Sequence, residues 1–150
     1  MGWHTTGAMV ARAPGRHRRR GPTLDAADLR RLVDAAGAGS GTHTVRDRTL
    51  VSLCCFSGLR PEEIVRLRWE ELATELTANG HYGLTATVER SSRRLNLILP
   101  GPAANAIEAL AQAAGGAIES LSGPVLCTSG TAGKALSYRA ALDVLQQTCQ

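Results

Sequence analysis

Lysine, aromatic residues and long apolar runs are scarce in this 150-residue chain. Of its 17 basic residues only Lys134 is a lysine, and aromatic residues make up 3% of the chain. No apolar stretch approaches the roughly 18 residues that a membrane-spanning helix needs, so we expect no membrane partner. The four cysteines form no Cys-x-x-Cys pair, which argues against a metal site and favours a reducing, cytoplasmic location.

The remaining composition is typical of one globular domain. Hydrophobic residues make up 43% and charged residues 20%, and the length is sufficient to bury a core. Because lysine is almost absent, the positive charge resides on arginine, whose planar guanidinium matches phosphate oxygens. A formal net charge of +4 and a pI near 9.2 permit a nucleic-acid partner, although many proteins with this charge have none.

Residues 1–22 form a basic segment without any acidic residue. Three consecutive arginines, Arg18, Arg19 and Arg20, stand near its end. Such a run of like charges favours an arm or linker over a packed element. Two interpretations are equally open, a solvated tail and a segment that contacts the DNA backbone. We therefore divide the chain into a basic arm or linker, 1–22, and a domain, 23–150.

Apolar periodicity predicts a mainly α domain with a small β-hairpin or sheet, an α+β fold. Asp25 or Thr23 can cap the first helix, and Gly58 is expected to end the second in a left-handed conformation. Ser91-Ser92 offers a turn between two alternating strands. The predicted helices span 25–36, 45–57, 61–72, 102–114 and 137–147, and the predicted strands span 84–89 and 95–99.

The sequence around Gly58-Leu59-Arg60 carries the most specific motif. It resembles the first conserved box of the tyrosine recombinases, the phage-integrase type, which runs Gly-Leu-Arg, two residues, Glu-Ile/Leu, two residues, Leu, one residue, Trp. Glu71 stands where that family has Asp. The matching positions here are Gly58, Leu59, Arg60, Glu63, Ile64, Leu67 and Trp69.

The resemblance implies that Arg60 clamps the scissile phosphate of double-stranded DNA. Glu63, three residues further on, lies one helical turn away on the same face, and we expect it to orient the Arg60 guanidinium. A bidentate arginine is a strong donor to the charge that develops on phosphoryl oxygens. In this family a tyrosine then attacks the phosphate without any metal, so neither a metal nor a cofactor is expected. The alternative for Arg60 is a surface ion pair with Glu62 or Glu63.

The basic hairpin departs from the family at one position. Alignment of Leu97-Ile98-Leu99 on the family's last strand puts Arg90 where the family has a lysine. Arginine neutralises phosphate, but its pKa above about 12 makes it a poor proton donor. Arg90 is therefore predicted to contact DNA rather than act as a general acid. Arg93 and Arg94 beside it are either further DNA contacts or a solvated hairpin tip.

The family's second half has no counterpart after the hairpin. No histidine follows it, so the His-x-x-Arg box is missing there. His17 and His43 each begin a His-x-x-Arg match, but both precede Arg60, which is the wrong order for this family. Tyr82 and Tyr138 do not match the context of the nucleophile, and core or cap packing is their ordinary explanation. We expect a partial recombinase core that binds DNA and cannot cleave it alone, with self-association or a separate C-terminal half as possible partners.

Two other functions stay open. Segments 45–57 and 61–72 around Gly58 resemble a helix-turn-helix of a non-catalytic regulator, with Arg66 and Arg68 facing DNA. Leu67 and Trp69 argue against it because they separate the two arginines onto different faces. The other possibility is an interaction protein that binds no nucleic acid.

Overall fold

A computed structural model describes residues 23–150, which form an α+β fold with five α-helices and one three-stranded antiparallel sheet. The basic segment with Arg18, Arg19 and Arg20 lies outside the described residues. Two short 3-10 turns span Trp69–Glu71 and Ile118–Ser120. The main elements are α1 (Ala26–Ala36), α2 (Thr42–Phe56), α3 (Pro61–Arg66), β1 (Leu72–Leu76), β2 (Tyr82–Arg90), β3 (Arg93–Ile98), α4 (Gly101–Ala113) and α5 (Tyr138–Thr148).

Helix α1 begins after Asp25, as predicted. The Asp25 carboxylate accepts the backbone N–H of Asp28 at 2.8 Å, and the Asp28 carboxylate accepts that of Asp25 at 3.3 Å. This reciprocal pair satisfies two of the amides that a helix start leaves without partners. Val33 is the buried residue of this helix, so α1 rests on α2 along one narrow stripe.

Helix α2 is the central element, which confirms the prediction from its apolar character. It packs against α1, α3, α4 and α5 and buries Leu50, Val51 and Leu53. The helix ends at Phe56, and Gly58 follows with φ +72°, the left-handed conformation that glycine adopts without strain.

Helix α3 ends at Arg66, so the predicted helix over 61–72 is wrong after its first half. Leu67 leaves the helical conformation because its carbonyl accepts the N–H of Val125, while the N–H of Trp69 donates to the Gly123 carbonyl, both at 2.9 Å. These bonds to a distant segment replace the helical ones. The predicted inner residues Ile64, Leu67, Trp69 and Leu72 are nevertheless all buried.

The sheet contains the predicted hairpin and one strand that the sequence did not predict. Strand β2 pairs with β3 across the Ser91-Ser92 turn, whose residues have φ +50° and +61°, as a tight two-residue hairpin turn requires. Strand β1 pairs with the other edge of β2, from Leu72 opposite Ala86 to Leu76 opposite Tyr82. The sheet order is therefore β1-β2-β3, with β2 in the centre.

The C-terminal part of the domain closes over α2. Helix α4 buries Ala103, Ile107 and Leu110 against it. A loop over 127–135 follows the buried Val125-Leu126 pair, and the Ser137 hydroxyl then caps α5 by accepting the N–H of Ala140 at 3.1 Å. Within residues 23–150, no helix has both the length and the apolar character for a membrane crossing.

Candidate phosphate-binding site

The turn over 58–60 is anchored from inside the protein. The Ser57 hydroxyl donates to the Leu53 carbonyl at 2.6 Å and accepts the N–H of Leu59 at 3.0 Å. The Leu59 side chain is 5% exposed and belongs to the core. Because Ser57 and Leu59 are fixed in this way, the turn places the next residue, Arg60, at the protein surface.

Arg60 is the cap residue of α3, with Pro61 at the first helical position. Its backbone N–H donates to the Glu63 carboxylate at 2.7 Å. Because α3 has only six residues, the dipole of the helix contributes little charge at its start. An anion at this turn would depend mainly on arginine side chains.

Glu63 forms its side-chain ion pair with Arg90, on strand β2. The Nε of Arg90 donates to Oε1 of Glu63 at 2.6 Å, and Nη2 donates to Oε2 at 2.7 Å. The same Nη2 also donates to the Gly58 carbonyl at 3.3 Å. One guanidinium therefore ties the hairpin both to α3 and to the turn before it.

This pair is partly shielded from solvent, with 13% of the Glu63 side chain and 26% of the Arg90 side chain exposed. The Arg90 hydrogen bonds lower the pKa of Glu63 from 4.5 to about 2, against the opposing effect of burial, and the Arg60 N–H adds to the lowering. The Glu63 contact in turn raises the pKa of Arg90. At neutral pH both groups are charged and paired.

The observed geometry differs from the expected role of Glu63. The sequence suggests that Glu63 orients the Arg60 guanidinium. Within the described residues, no hydrogen bond or ion pair joins Glu63 to that guanidinium, because Arg90 occupies both carboxylate oxygens. Glu63 instead fixes the Arg60 backbone and the Arg90 side chain. The sequence motif gave no signal for this second contact, because Arg90 lies 27 residues further along the chain.

The two remaining hairpin arginines point to opposite faces of the sheet. Arg93 is the cross-strand partner of Arg90, and directly opposed residues share a face, so Arg93 lies on the side of the core and of α3. Arg94 is opposite Glu89 and therefore lies on the outer face. Both side chains are exposed. The structure thus brings Arg93, and not Arg94, to the face that carries Arg90.

A small crevice beside α3 is largely acidic. It has a volume of about 200 Å³ and is lined by Arg66 together with four carboxylates, Glu62, Glu63, Glu71 and Glu89. Arg68 lies within 3.4 Å of the Glu70 carboxylate. Arg66 and Arg68 therefore stand among acidic groups, at and beyond the end of a six-residue helix. The second helix of the predicted helix-turn-helix is thus reduced to half its expected length.

Both tyrosines are exposed, so neither is a core residue, and Tyr138 stands at the start of α5 next to the cap residue Ser137. Tyr82 is 76% and Tyr138 is 42% exposed. Tyr82 begins β2 and Arg90 ends it, which separates them by about 26 Å at the usual rise of a strand. Tyr82 therefore cannot reach a phosphate held by Arg90 in the same molecule. His43 is also exposed, on the first turn of α2.

The cysteines are free thiols and form no metal site. Cys54 is half-buried and packs against the core, and burial raises its pKa to about 11. Residues 23–150 contain no group of three His, Cys, Asp or Glu side chains that could hold a metal ion.

No family model matches the sequence, and no curated protein matches it either.

Proposed function

We propose that this chain is a DNA-binding part of a site-specific tyrosine recombinase, or integrase, catalytic domain. It would bind the phosphate backbone of double-stranded DNA and would not cleave DNA by itself. The proposal starts from the seven-position motif between Gly58 and Trp69. The observation that carries it is the contact between this motif and the hairpin, in which Arg90 binds Glu63 and the Gly58 carbonyl.

This contact supports phosphate binding because it brings the Arg90 guanidinium to the same turn that carries Arg60. Arg60 is exposed at the cap of α3, and Arg90 is held against the same turn by Glu63. Arg90 uses Nε and Nη2 in these bonds, which leaves Nη1 for another acceptor. A DNA phosphate contacted by arginines contributes affinity that falls with salt and does not depend on base sequence.

Fluorescence anisotropy with a labelled DNA duplex at a series of salt concentrations tests the binding. We expect Arg60→Gln to weaken binding of unrelated duplexes equally and to lower the slope of log K against log salt by about one unit. Arg139→Gln is the matched control, because Arg139 is 86% exposed in its side chain and lies on α5. A flat titration at low salt, or equal slopes for both variants, contradicts the proposal.

Nicked suicide DNA substrates test the second half of the proposal. A tyrosine recombinase that cleaves them becomes trapped on the DNA through a phosphotyrosine bond. Residues 61–150 contain no His-x-x-Arg box, so we expect no covalent protein–DNA band in denaturing gels. A band that Tyr138→Phe or Tyr82→Phe abolishes would show that this chain cleaves DNA.

A further inference from the structure

A second concave surface lies between α1, α2 and α4. Helix α2 packs against both α1 and α4, and a cavity of about 570 Å³ remains between those two helices. This volume lies within the range of about 300–1,000 Å³ that is usual for small-molecule sites. The motif residues 58–60, Glu63 and Arg90 do not line it, so it is separate from the proposed DNA-binding site.

Each helix presents one regular face to the cavity. The lining positions on every helix follow the i, i+3, i+4, i+7 spacing, which places them on one side of the helix. Apolar side chains make up much of this surface. They are Val33 from α1, Val45 and Phe56 from α2, and Pro102, Ala106 and Ala109 from α4.

Two glycines in the loop between α1 and α2 leave room for polar side chains of the cavity wall. A Cβ atom on Gly37 would come within 2.9 Å of the Arg48 side chain, and one on Gly39 within 2.8 Å of the Thr44 hydroxyl. Any larger residue would push these side chains aside. The glycines therefore leave the space that Arg48 and Thr44 occupy in the wall of the cavity, and they also allow a ligand to approach the backbone closely.

Ser52 supplies a hydrogen-bonding group deep in the cavity. The residue is only 1% exposed, yet within residues 23–150 its hydroxyl forms no hydrogen bond, whereas the hydroxyls of Thr49 and Ser57 both do. Every fully enclosed side-chain N or O atom of the described residues has a partner. Because Ser52 lines the cavity and its hydroxyl has no partner among the described residues, it is the group that a polar ligand atom at the cavity wall would bond to.

The rim of the cavity is positively charged. Arg30 and Arg48 line it together with one acid, Asp34, which leaves an excess of one positive charge. Arg48 and Asp34 are 3.9 Å apart and both largely exposed, so this ion pair is weak and leaves most of the Arg48 guanidinium free to bind another anion. Asn105 adds an exposed amide on the α4 side.

We propose that this cavity binds a small amphipathic organic anion. Its apolar body would lie against Val33, Val45 and Phe56, and a polar group on it would bond to Ser52. Its carboxylate or phosphate would pair with Arg30 and Arg48 at the rim. The proposal is independent of DNA binding, because the two surfaces share no residue.

Nuclear magnetic resonance titration of the ¹⁵N-labelled full chain tests this site with three probes, 3-phenylpropanoate, phenyl phosphate and the neutral 3-phenylpropanamide. Saturable shifts of backbone amides that line the cavity are expected for at least one of the two anions. If only one anion saturates, the site accepts that head group. If neither does, the proposal is overturned.

Two variants locate the binding. Arg48→Gln should weaken binding of the anions about threefold and leave binding of the neutral amide unchanged, as expected for a partly exposed ion pair. Ala109→Leu places a larger side chain in the cavity from an exposed position and should abolish saturation by every probe that saturates the wild type. The matched controls are Arg31→Gln and Ala113→Leu, neither of which lines the cavity. If either variant behaves like its control, the anion does not bind here.

Discussion

Glu63 and Arg90 form a two-point ion pair that joins α3 to the hairpin, with contacts of 2.6 and 2.7 Å. The same carboxylate accepts the Arg60 N–H, and the same guanidinium binds the Gly58 carbonyl. A single pair therefore fixes the backbone of the turn and the end of β2 at once. Because a lysine has no planar fork, it could not reproduce all of these contacts from position 90.

The first prediction concerns acid stability. The pKa of Glu63 in the folded protein is about 2 and its ordinary value is 4.5. A lowered folded-state pKa stabilises the protein above pH 4.5, and this stabilisation is lost as the pH falls from 4.5 through 2. Glu63→Gln should therefore lower the Tm at pH 7 by roughly 2–6 °C. It should also reduce the difference between the Tm at pH 5 and the Tm at pH 3. Thermal unfolding followed by circular dichroism measures both.

Glu62→Gln is the control for this experiment. Glu62 precedes Glu63 on the same helix turn and is exposed, but it has no hydrogen bond within the described residues. Its substitution should leave the Tm and its pH dependence nearly unchanged. Equal pH profiles for the Glu63 and Glu62 variants would mean that the ion pair does not stabilise the fold.

A second prediction concerns Arg46, a buried arginine near the start of α2. Its side chain is 9% exposed, pairs with Asp47 at 2.6 Å, and donates to the carbonyls of Cys127 and Thr128. Arg46→Met keeps most of the apolar stem but leaves these acceptors without a donor. We expect a loss of about 2–4 kcal/mol in the free energy of unfolding, measured by urea denaturation. Arg139→Met, at an exposed position, should cost less than about 0.5 kcal/mol.

Arg46 also illustrates what the sequence could not predict. The apolar pattern of α2 predicts a central helix, because burial on several sides requires apolar residues on several sides. A charged residue within that helix gives no sign of its partners. Those partners are carbonyl groups of the loop over 127–135, about eighty residues away, and only the folded chain brings them together.

Strand β1 was missed for a related reason. Its sequence, Leu-Ala-Thr-Glu-Leu over 72–76, contains good helix formers and few β-branched residues, so local preference favours helix, as in the predicted element over 61–72. Pairing with β2 outweighs this preference. By contrast, the hairpin was predictable because Leu84, Ala86 and Val88 alternate with polar residues, and all three are buried.

The candidate site shows the same division between local and distant contacts. The cap formed by Gly58 and the helix start at Pro61 depend on neighbouring residues, and both were predicted correctly. The pairing of Glu63 with Arg90 depends on how the hairpin packs on α3. For that reason the motif alone gives no indication that Glu63 pairs with Arg90.

A third prediction concerns self-association. Leu76 and Tyr82 face each other across β1 and β2, and they are 62% and 76% exposed. Their shared face gives the sheet an apolar end that a second copy could cover. Sedimentation velocity should show association that increases with protein concentration and decreases in the Leu76→Thr, Tyr82→Ser double variant. Tyr138→Ser, at another exposed tyrosine, is the control and should associate like the wild type.

The last prediction separates the two arginines of the hairpin tip. Arg93 shares the face of Arg90, whereas Arg94 stands opposite Glu89 on the outer face. If DNA lies along the face that carries Arg60 and Arg90, Arg93→Gln should lower the salt slope of DNA binding by about one unit. Arg94→Gln should leave the slope unchanged, although it removes the same charge from a neighbouring position. Equal losses for the two variants would mean that the hairpin attracts DNA through net charge alone, without a defined binding face.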